Sequence, residues 1–158
     1  MNRAGMFLIG LAAAVSAASA FAQSTVGSGE SPSPVGRWQT FDPGTHELRS
    51  IVEITAVGDE LEGKVIKRFP PPGDPTHGIC SACPGERKNQ PILGMTILWH
   101  LQKRGDGWGD GTIIDPTTGK TYSLEAHLTA GGKELLLRGY VGMPLFGQTR
   151  TWVRDTSD

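Results

Sequence analysis

The feature that most constrains the fold of this chain is an alternation of apolar and polar residues with a period of two. In the segment 121–128 the even-numbered residues are Tyr, Leu, Ala and Leu, whereas the odd-numbered residues are Thr, Ser, Glu and His. The segment 61–68 alternates in a similar way, and Leu135, Leu137 and Val141 continue the pattern. Because successive side chains of a strand point to opposite faces, this pattern predicts antiparallel strands with one dry and one solvated face.

The segments between these strands are rich in turn-forming residues. Glycine accounts for 22 of the 158 residues, and tight turns favour glycine because it adopts positive φ without strain. No helical period extends over eleven residues beyond the N-terminal segment. Eight or nine short strands with hairpin-length links predict an all-β domain, an antiparallel meander closed into a β-barrel, since closure removes exposed edges. A β-sandwich remains the alternative.

Residues 1–22 have the features of a secretory signal peptide. Arg3 supplies a positive start, an apolar run follows over residues 6–15, and Ala20 and Ala22 place small residues before a cleavage site. The run is shorter than the roughly 20 residues that span a bilayer, so we expect cleavage rather than an anchor. Residues 23–34 are predicted to form a flexible linker, and residues 35–158 are predicted to form a single domain. We expect a periplasmic or secreted monomer without a membrane span.

The charge balance argues against one class of partner. The chain has 15 basic and 16 acidic residues, whereas nucleic-acid-binding domains carry a clear basic excess. We therefore expect no nucleic-acid partner.

The segment 69–91 interrupts the strand pattern with six prolines and both cysteines. A loop of this length in a compact domain is usually functional or pinned. The sequence Cys80-Ser81-Ala82-Cys83 is the only feature here with obvious chemistry.

Four interpretations of this Cys-x-x-Cys sequence compete. Haem attachment fails because Pro84 stands where a histidine is required. A redox pair needs a helix that begins at the first cysteine, and Pro84-Gly85 opposes one. A metal site with His77 would have three ligands, whereas a closed zinc site needs four. A structural disulfide between Cys80 and Cys83 is favoured, since exported proteins meet oxidising surroundings.

No catalytic constellation is apparent elsewhere. The four histidines show no paired spacing, and Asp42 and Asp115 each precede a proline in a turn, where aspartate binds its own backbone. Neither a nucleophile elbow nor a phosphate-binding glycine loop is present. We expect no enzymatic activity, no cofactor and no metal ion.

Aromatic residues mark the two ends of the domain. Trp38 lies at the start of the first predicted strand, and Trp152 lies in the last one between Arg150 and Arg154. First and last strands meet when a barrel closes, and a guanidinium stacks favourably on an indole ring. Trp38 with Arg150 or Arg154 is therefore a candidate closing contact; ordinary packing of Trp38 by its neighbours is the alternative.

A series of motifs in one order resembles a known family. The motifs are Gly36-Arg37-Trp38, Cys80-x-x-Cys83, Pro91-Ile92-Leu93-Gly94, Gly111-Thr112-Ile113-Ile114-Asp115-Pro116, Gly119-Lys120-Thr121-Tyr122, Arg138-Gly139-Tyr140-Val141-Gly142 and Leu145-Phe146-Gly147-Gln148-Thr149-Arg150-Thr151-Trp152. Together they are similar to family 2147 of the domains of unknown function, a group of exported bacterial proteins.

This resemblance implies a lipocalin-like β-barrel with an interior cavity that carries or senses a small apolar molecule. The Gly36-x-Trp38 pair also resembles the first-strand signature of lipocalins, in which an arginine from the end of the barrel covers the tryptophan. The family has no agreed activity, so the resemblance implies no catalytic residue.

We therefore expect a non-catalytic periplasmic protein that binds a small hydrophobic or amphipathic ligand. The loop 69–91 would form a lid or rim. The residues predicted to contact the ligand are Val65, Met95, Trp99, Tyr122, Leu124, Leu135, Leu137 and Phe146. Two rival interpretations are an envelope protein–protein interaction module with a packed core and a thiol oxidoreductase that acts through Cys80.

Overall fold

The computed structural model describes residues 32–157 and shows a closed barrel of eight antiparallel strands in which each strand pairs with the next and β8 pairs with β1. The strands are β1 (Gly36–Phe41), β2 (Leu48–Val57), β3 (Glu60–Arg68), β4 (Thr96–Arg104), β5 (Gly107–Ile114), β6 (Thr121–Thr129), β7 (Glu134–Tyr140) and β8 (Gln148–Arg154). The barrel prediction is confirmed and the sandwich alternative is wrong. The predicted signal peptide and most of the predicted linker lie outside the described residues. Between residues 32 and 157, no helix has the length and apolar character needed to cross a membrane.

The up-and-down order gives the barrel two distinct ends. The short hairpins β2–β3, β4–β5 and β6–β7 lie at one end, together with the start of β1 and the end of β8; we call this the lower end. Four longer connections, residues 42–47, 69–95, 115–120 and 141–147, lie at the opposite, upper end. The two ends differ in both length and composition of their loops.

Strand register determines which side chains face the interior. Residues directly opposite each other in antiparallel strands project to the same face, and β6 and β7 align Ala126 with Leu137 and Leu128 with Leu135. The lower and middle parts of the interior are filled by apolar side chains. The buried inner-facing residues are Trp38, Val52, Ile54, Leu61, Val65, Leu98, Leu101, Leu124, Ala126, Leu135, Leu137 and Trp152.

Two inner-facing glycines show how tightly this part of the barrel is packed. A Cβ atom on Gly111 would lie 2.8 Å from Leu101 Cδ1, and one on Gly63 would lie 3.1 Å from Leu98 Cβ. Both distances are shorter than ordinary van der Waals contacts. A larger residue at either position would therefore require the neighbouring side chains to shift.

The long β3–β4 connection, residues 69–95, covers the outer face of the barrel over β4 and β5. Ile97 and Ile114 project outward, since the residues next to them along their strands, Leu98 and Ile113, face inward. Both are nevertheless buried, in one cluster with Cys80 and Cys83. The Ala82 carbonyl lies against Gly119, which has φ +71° and no room for a Cβ atom. The loop is thus a second layer outside the barrel wall.

A polar brace fixes the start of this loop. Arg68 Nη2 donates to Asp74 Oδ2 at 2.8 Å and to Thr76 Oγ1 at 3.1 Å, and the Thr76 amide donates to Asp74. These bonds, led by that from Arg68, lower the pKa of Asp74 from 3.8 to about 2. The carboxylate therefore remains charged at neutral pH and holds the loop to β3.

Candidate functional site

The lower end of the barrel is closed by Trp38. Its ring is fully buried, and its Nε1 donates a 2.7 Å hydrogen bond to the Pro34 carbonyl. The Arg154 guanidinium lies 4.2 Å from the ring centroid. Ser33 and Pro34, the last residues of the predicted linker, therefore belong to the barrel: Pro34 is buried and both carbonyls accept hydrogen bonds from the closing side chains.

Arg154 joins three separate segments at this end. It donates to the carbonyls of Gly132 at 2.7 Å, Ser33 at 2.8 Å and Val35 at 3.0 Å. Burial lowers the pKa of Arg154, but an arginine stays protonated in proteins. Gly36 has φ +129°, and a Cβ atom there would lie 2.7 Å from Arg154 Nη1. The glycine of the Gly36-x-Trp38 pair is thus needed to admit the guanidinium.

Arg150, the other arginine considered for this closing contact, lies elsewhere. It pairs with Leu137 in register, two residues nearer the upper end than Trp152. Because Trp152 and Leu137 face inward, the Arg150 side chain starts from the inner face as well. Arg150 is nevertheless exposed. Its side chain therefore starts on the inner face and is exposed to solvent near the upper end of the barrel.

Other inner-facing positions near the upper end are also incompletely buried. Gln148 is exposed, whereas Tyr122, Ile113, Thr40 and Ser50 are half-buried. Thr40 and Ser50 form a 2.7 Å hydrogen bond between their hydroxyl groups. The upper interior therefore has a mixed polar and apolar lining, in contrast to the apolar packing in the middle of the barrel.

The seam between β1 and β8 is paired only near the lower end. Its register comprises Trp38 with Arg154 and Gln39 with Val153. The remaining residues of β8, from Gln148 to Trp152, pair with β7 alone. Beside Arg150, β8 therefore has no ladder pairing with β1.

The β7–β8 connection, residues 141–147, presents apolar side chains to solvent at the upper end. Val141, Met143, Leu145 and Phe146 are 72%, 59%, 74% and 76% exposed. Arg138 holds this loop in shape by donating to the carbonyls of Pro144 at 2.6 Å and Leu145 at 3.1 Å. We call this segment the apolar loop.

The predicted ligand contacts fall into three groups. Val65, Leu124, Leu135 and Leu137 face inward but are 0–2% exposed within the packed part of the core. Tyr122 faces inward at the half-buried upper level.

The other three predicted contacts do not share that inner surface. Met95 is buried immediately before β4, where its carbonyl accepts a 3.0 Å hydrogen bond from the Val65 amide. Trp99 faces outward beneath Arg87, whose guanidinium lies 4.3 Å from its ring. Phe146 is on the apolar loop. Both aromatic residues were selected for apolar character alone, which does not reveal the face of a strand.

Two open grooves of about 460 and 450 Å3 border the loop 69–95, outside the barrel. The first is lined by residues around Arg68 and His77, and the second by residues around Arg87 and Met95. The resemblance implied an interior cavity, but the lower interior is filled by side chains. At the upper level, the inner-facing Arg150 is exposed and the inner-facing Tyr122 is half-buried.

The cysteines are disulfide-bonded, with their Cα atoms 5.4 Å apart. Cys80 is 0% and Cys83 is 2% exposed, so an external thiolate has no direct approach to either sulfur. No helix begins at Cys80; the short 3-10 segment nearby is Gly85–Arg87. The pair therefore lacks the helix N-terminus of a thioredoxin-type redox site, and bonded sulfurs are not available as thiolate ligands for a metal.

Asp42 and Asp115 both act in turns. Asp42 Oδ1 accepts hydrogen bonds from the amides of Thr45 and Gly44, and these bonds lower the pKa of Asp42 to about 2. Asp115 Oδ1 accepts a bond from the Thr117 amide. Among residues 32–157 no group of three or more His, Cys, Asp or Glu side chains is arranged to hold a metal ion.

Comparison with known proteins agrees with the architecture. The family model described as "Uncharacterized protein conserved in bacteria (DUF2147)" matches residues 36–154, from the first residue of β1 to the last of β8. The chain belongs to the DUF2147 family. No curated protein matches it significantly.

One solved structure has a similar fold to this DUF2147 protein. Protein HP1028 from Helicobacter pylori, described as belonging to the lipocalin family, aligns with a TM-score of 0.65 and 22% sequence identity. The alignment covers 78% of this chain and 83% of that one. At this identity the similarity establishes a lipocalin-like fold and nothing more specific.

The sequence predicted Arg150 only as a possible closing residue, on the face of Trp152, and neither Gln148 nor Arg150 was among the predicted ligand contacts. The sequence contains a pattern that relates these residues: Gln148, Arg150, Trp152 and Arg154 alternate with two threonines and a valine. This period of two places all four on one face of β8.

Proposed function

We propose that this DUF2147 protein binds a small hydrophobic or amphipathic molecule at the upper end of its barrel, without chemical conversion. The observation that carries the proposal is the contrast along β8. Arg154 is bonded into a plug at the closed end, whereas Arg150 on the same face is exposed to solvent. Barrels of about eight strands hold one small ligand, and the upper level offers such a ligand both apolar and polar contacts.

The apolar loop and the β1–β8 seam support the same location. Both lie next to Gln148 and Arg150, and the loop offers four exposed apolar side chains. An apolar ligand would contact these side chains as it enters. The packed lower core would act as the floor of a shallow cup.

A neutral probe tests this function most simply. We expect 1-dodecanol to bind the wild-type protein in a calorimetric titration. Gly139 lies on the inner face, where an added Cβ atom would make only an ordinary 3.5 Å contact with Tyr122. A side chain can therefore begin at this position, and Gly139→Phe should fill the cup and weaken dodecanol binding at least roughly tenfold, with circular dichroism confirming that the variant is folded.

Thr151→Phe is the matched control, because Thr151 is exposed on the outer face of β8. It should bind dodecanol like the wild type. Equal binding by both variants, or no binding by the wild type, would contradict the proposal. Native mass spectrometry of freshly purified protein adds a second test, since the proposal expects a co-purifying lipid-sized mass.

A docking function is the second candidate, and the apolar loop favours it. Arg138 fixes this loop while its apolar side chains remain exposed, as a protein-binding surface requires. Leu145→Ser with Phe146→Ser would abolish a docking contact in a pull-down from envelope extracts. Docking would be favoured over ligand binding if native mass spectrometry detected the protein without a bound ligand and the double variant no longer retained its partner in the pull-down.

Export is part of the proposed function and is supported by residues 1–22 of the sequence. A positive start, a short apolar run and the Ala20-Phe21-Ala22 segment match the pattern that signal peptidase cleaves. The intact mass of protein recovered from the periplasm should correspond to a chain that starts at Gln23. A recovered chain that still contains Met1, or its absence from the periplasm, would contradict export.

A further inference from the structure

The inner face of β8 carries a positive charge that the described part of the barrel does not neutralise. The ion pairs within residues 32–157 involve Arg37, Arg49, Arg68, Arg104 and His100. Arg150 takes part in none of them. Its guanidinium donates to Gln148 Oε1 at 2.8 Å and to the Thr149 carbonyl at 3.4 Å. A guanidinium has five N–H donors, so most of the hydrogen-bonding capacity of Arg150 remains for a ligand.

The two neighbouring arginines on β7 and β8 show the difference. Arg154 and Arg138 each donate to at least two backbone carbonyls, which fixes the closed end and the apolar loop respectively. Arg150 instead projects from the inner face with one amide side chain to orient it. Its structural contribution is therefore small, and its charge is exposed to solvent at the upper end of the barrel.

Apolar surface surrounds this charge. Leu137 lies directly opposite Arg150 on β7, and Tyr122 faces the same interior from β6. The β1–β8 seam opens beside it, with the apolar loop above. A charge bordered by apolar side chains at the mouth of a barrel has the complementary shape and chemistry for the head group of an amphiphile.

We propose that Arg150, oriented by Gln148, binds the carboxylate head group of an acidic amphiphile whose tail contacts the upper interior. This inference rests on the proposed function and adds the ligand class to it. The planar guanidinium matches a carboxylate with two parallel hydrogen bonds. Gln148 accepts from Arg150 through Oε1, so its amide nitrogen can donate to the same anion. One positive charge balances a monoanion.

The test compares three probes of equal chain length by calorimetry: dodecanoate, dodecyl phosphate and 1-dodecanol. The wild type should bind dodecanoate roughly ten- to a hundredfold more tightly than dodecanol, the range expected for hydrogen bonds to a charged group. Arg150→Gln should reduce dodecanoate binding to the dodecanol level and leave dodecanol binding unchanged. The dodecanoate affinity of Arg150→Lys should lie between those of the wild type and Arg150→Gln, because lysine keeps the charge and lacks the planar guanidinium.

Arg104→Gln is the matched control, since Arg104 is exposed near the lower end and pairs with Asp110. It should bind all three probes like the wild type. Dodecanoate binding that survives Arg150→Gln would overturn the head-group site, while dodecanol binding would still support the proposed function. Tighter binding of dodecyl phosphate would overturn the carboxylate assignment in favour of a phosphate. No binding of any probe would overturn the site and the proposed function together.

Discussion

The two ends of this barrel use the same residue types for opposite purposes. At the lower end Trp38 and Arg154 are bonded to the segment before β1 and seal the interior. At the upper end Phe146 and Arg150 are an aromatic residue and an arginine as well, yet both are exposed. The two arginines differ in their partners: Arg154 donates to three backbone carbonyls of separate segments, whereas Arg150 donates to Gln148 and to the adjacent Thr149 carbonyl.

The aromatic pair should show the largest difference between the two ends. Trp38→Ala removes a fully buried indole together with its hydrogen bond to Pro34, so we expect a loss of about 3–5 kcal/mol in the free energy of unfolding. Phe146→Ala should change it by less than about 0.5 kcal/mol. Urea unfolding followed by circular dichroism measures both. Similar losses in the two variants would mean that the upper end is packed like the lower one.

The arginine pair should show the next largest difference. Arg154→Gln leaves three carbonyls with weaker or no partners and should lower the free energy of unfolding by about 2–4 kcal/mol. Arg150→Gln should stay within about 0.5 kcal/mol of the wild type. The same urea experiment applies. If Arg150→Gln were as destabilising as Arg154→Gln, Arg150 would be a structural residue.

A pair of inner-facing glycines compares the packing of the two levels. Gly111→Ala would bring a Cβ atom to 2.8 Å from Leu101 Cδ1, and such overpacking costs about 1–3 kcal/mol. Gly139→Ala has only an ordinary 3.5 Å contact and should be close to neutral. Thermal unfolding distinguishes them. A destabilising Gly139→Ala would show that the upper interior has no spare room.

The smallest effect concerns the brace at the upper end. Because the folded-state pKa of Asp74 is about 2, below its ordinary value of 3.8, its ionised form stabilises the fold above pH 4. That stabilisation disappears as the pH falls from about 4 to 2. Asp74→Asn should therefore be less stable than the wild type at neutral pH and lose less stability on acidification.

Urea midpoints measured from pH 7 to pH 2 test this pH dependence. Asp106→Asn, in the exposed β4–β5 turn, serves as the control and should behave like the wild type. If Asp74→Asn and the wild type lost stability in parallel, the Arg68–Asp74–Thr76 brace would not contribute to the fold.

The sequence was sufficient to predict the barrel and its inner surface, for a simple physical reason. A strand with one buried face must alternate, and Leu124, Leu135 and Leu137 carry that period directly. Closure near Trp38 was likewise readable, because the first and last strands of a meander meet. The sequence could not show whether Arg150 or Arg154 covers Trp38, since this depends on which backbone carbonyls the segment before β1 brings to the lower end.

The site was less predictable than the fold. Trp99 and Phe146 were expected near the ligand because they are apolar, but the first is covered by Arg87 on the outer face and the second lies on an exposed loop. The packing of the loop 69–95 against the outer face of β4 and β5 could not be predicted, because a proline-rich segment has no periodic pattern that indicates its position. Nor does composition tell whether inward side chains fill a barrel, which depends on three-dimensional contacts such as that of Gly111 with Leu101.

The most direct test of the central claim, a barrel sealed below and open above, is a 15N–1H correlation spectrum of the protein titrated with dodecanoate. The account predicts that the amides of Tyr122, Gly139, Gln148 and Arg150 shift with ligand concentration, while those of Trp38, Ile54 and Ala126 stay unchanged. Shifts centred on the lower-end residues or on the grooves of the loop 69–95 would contradict it.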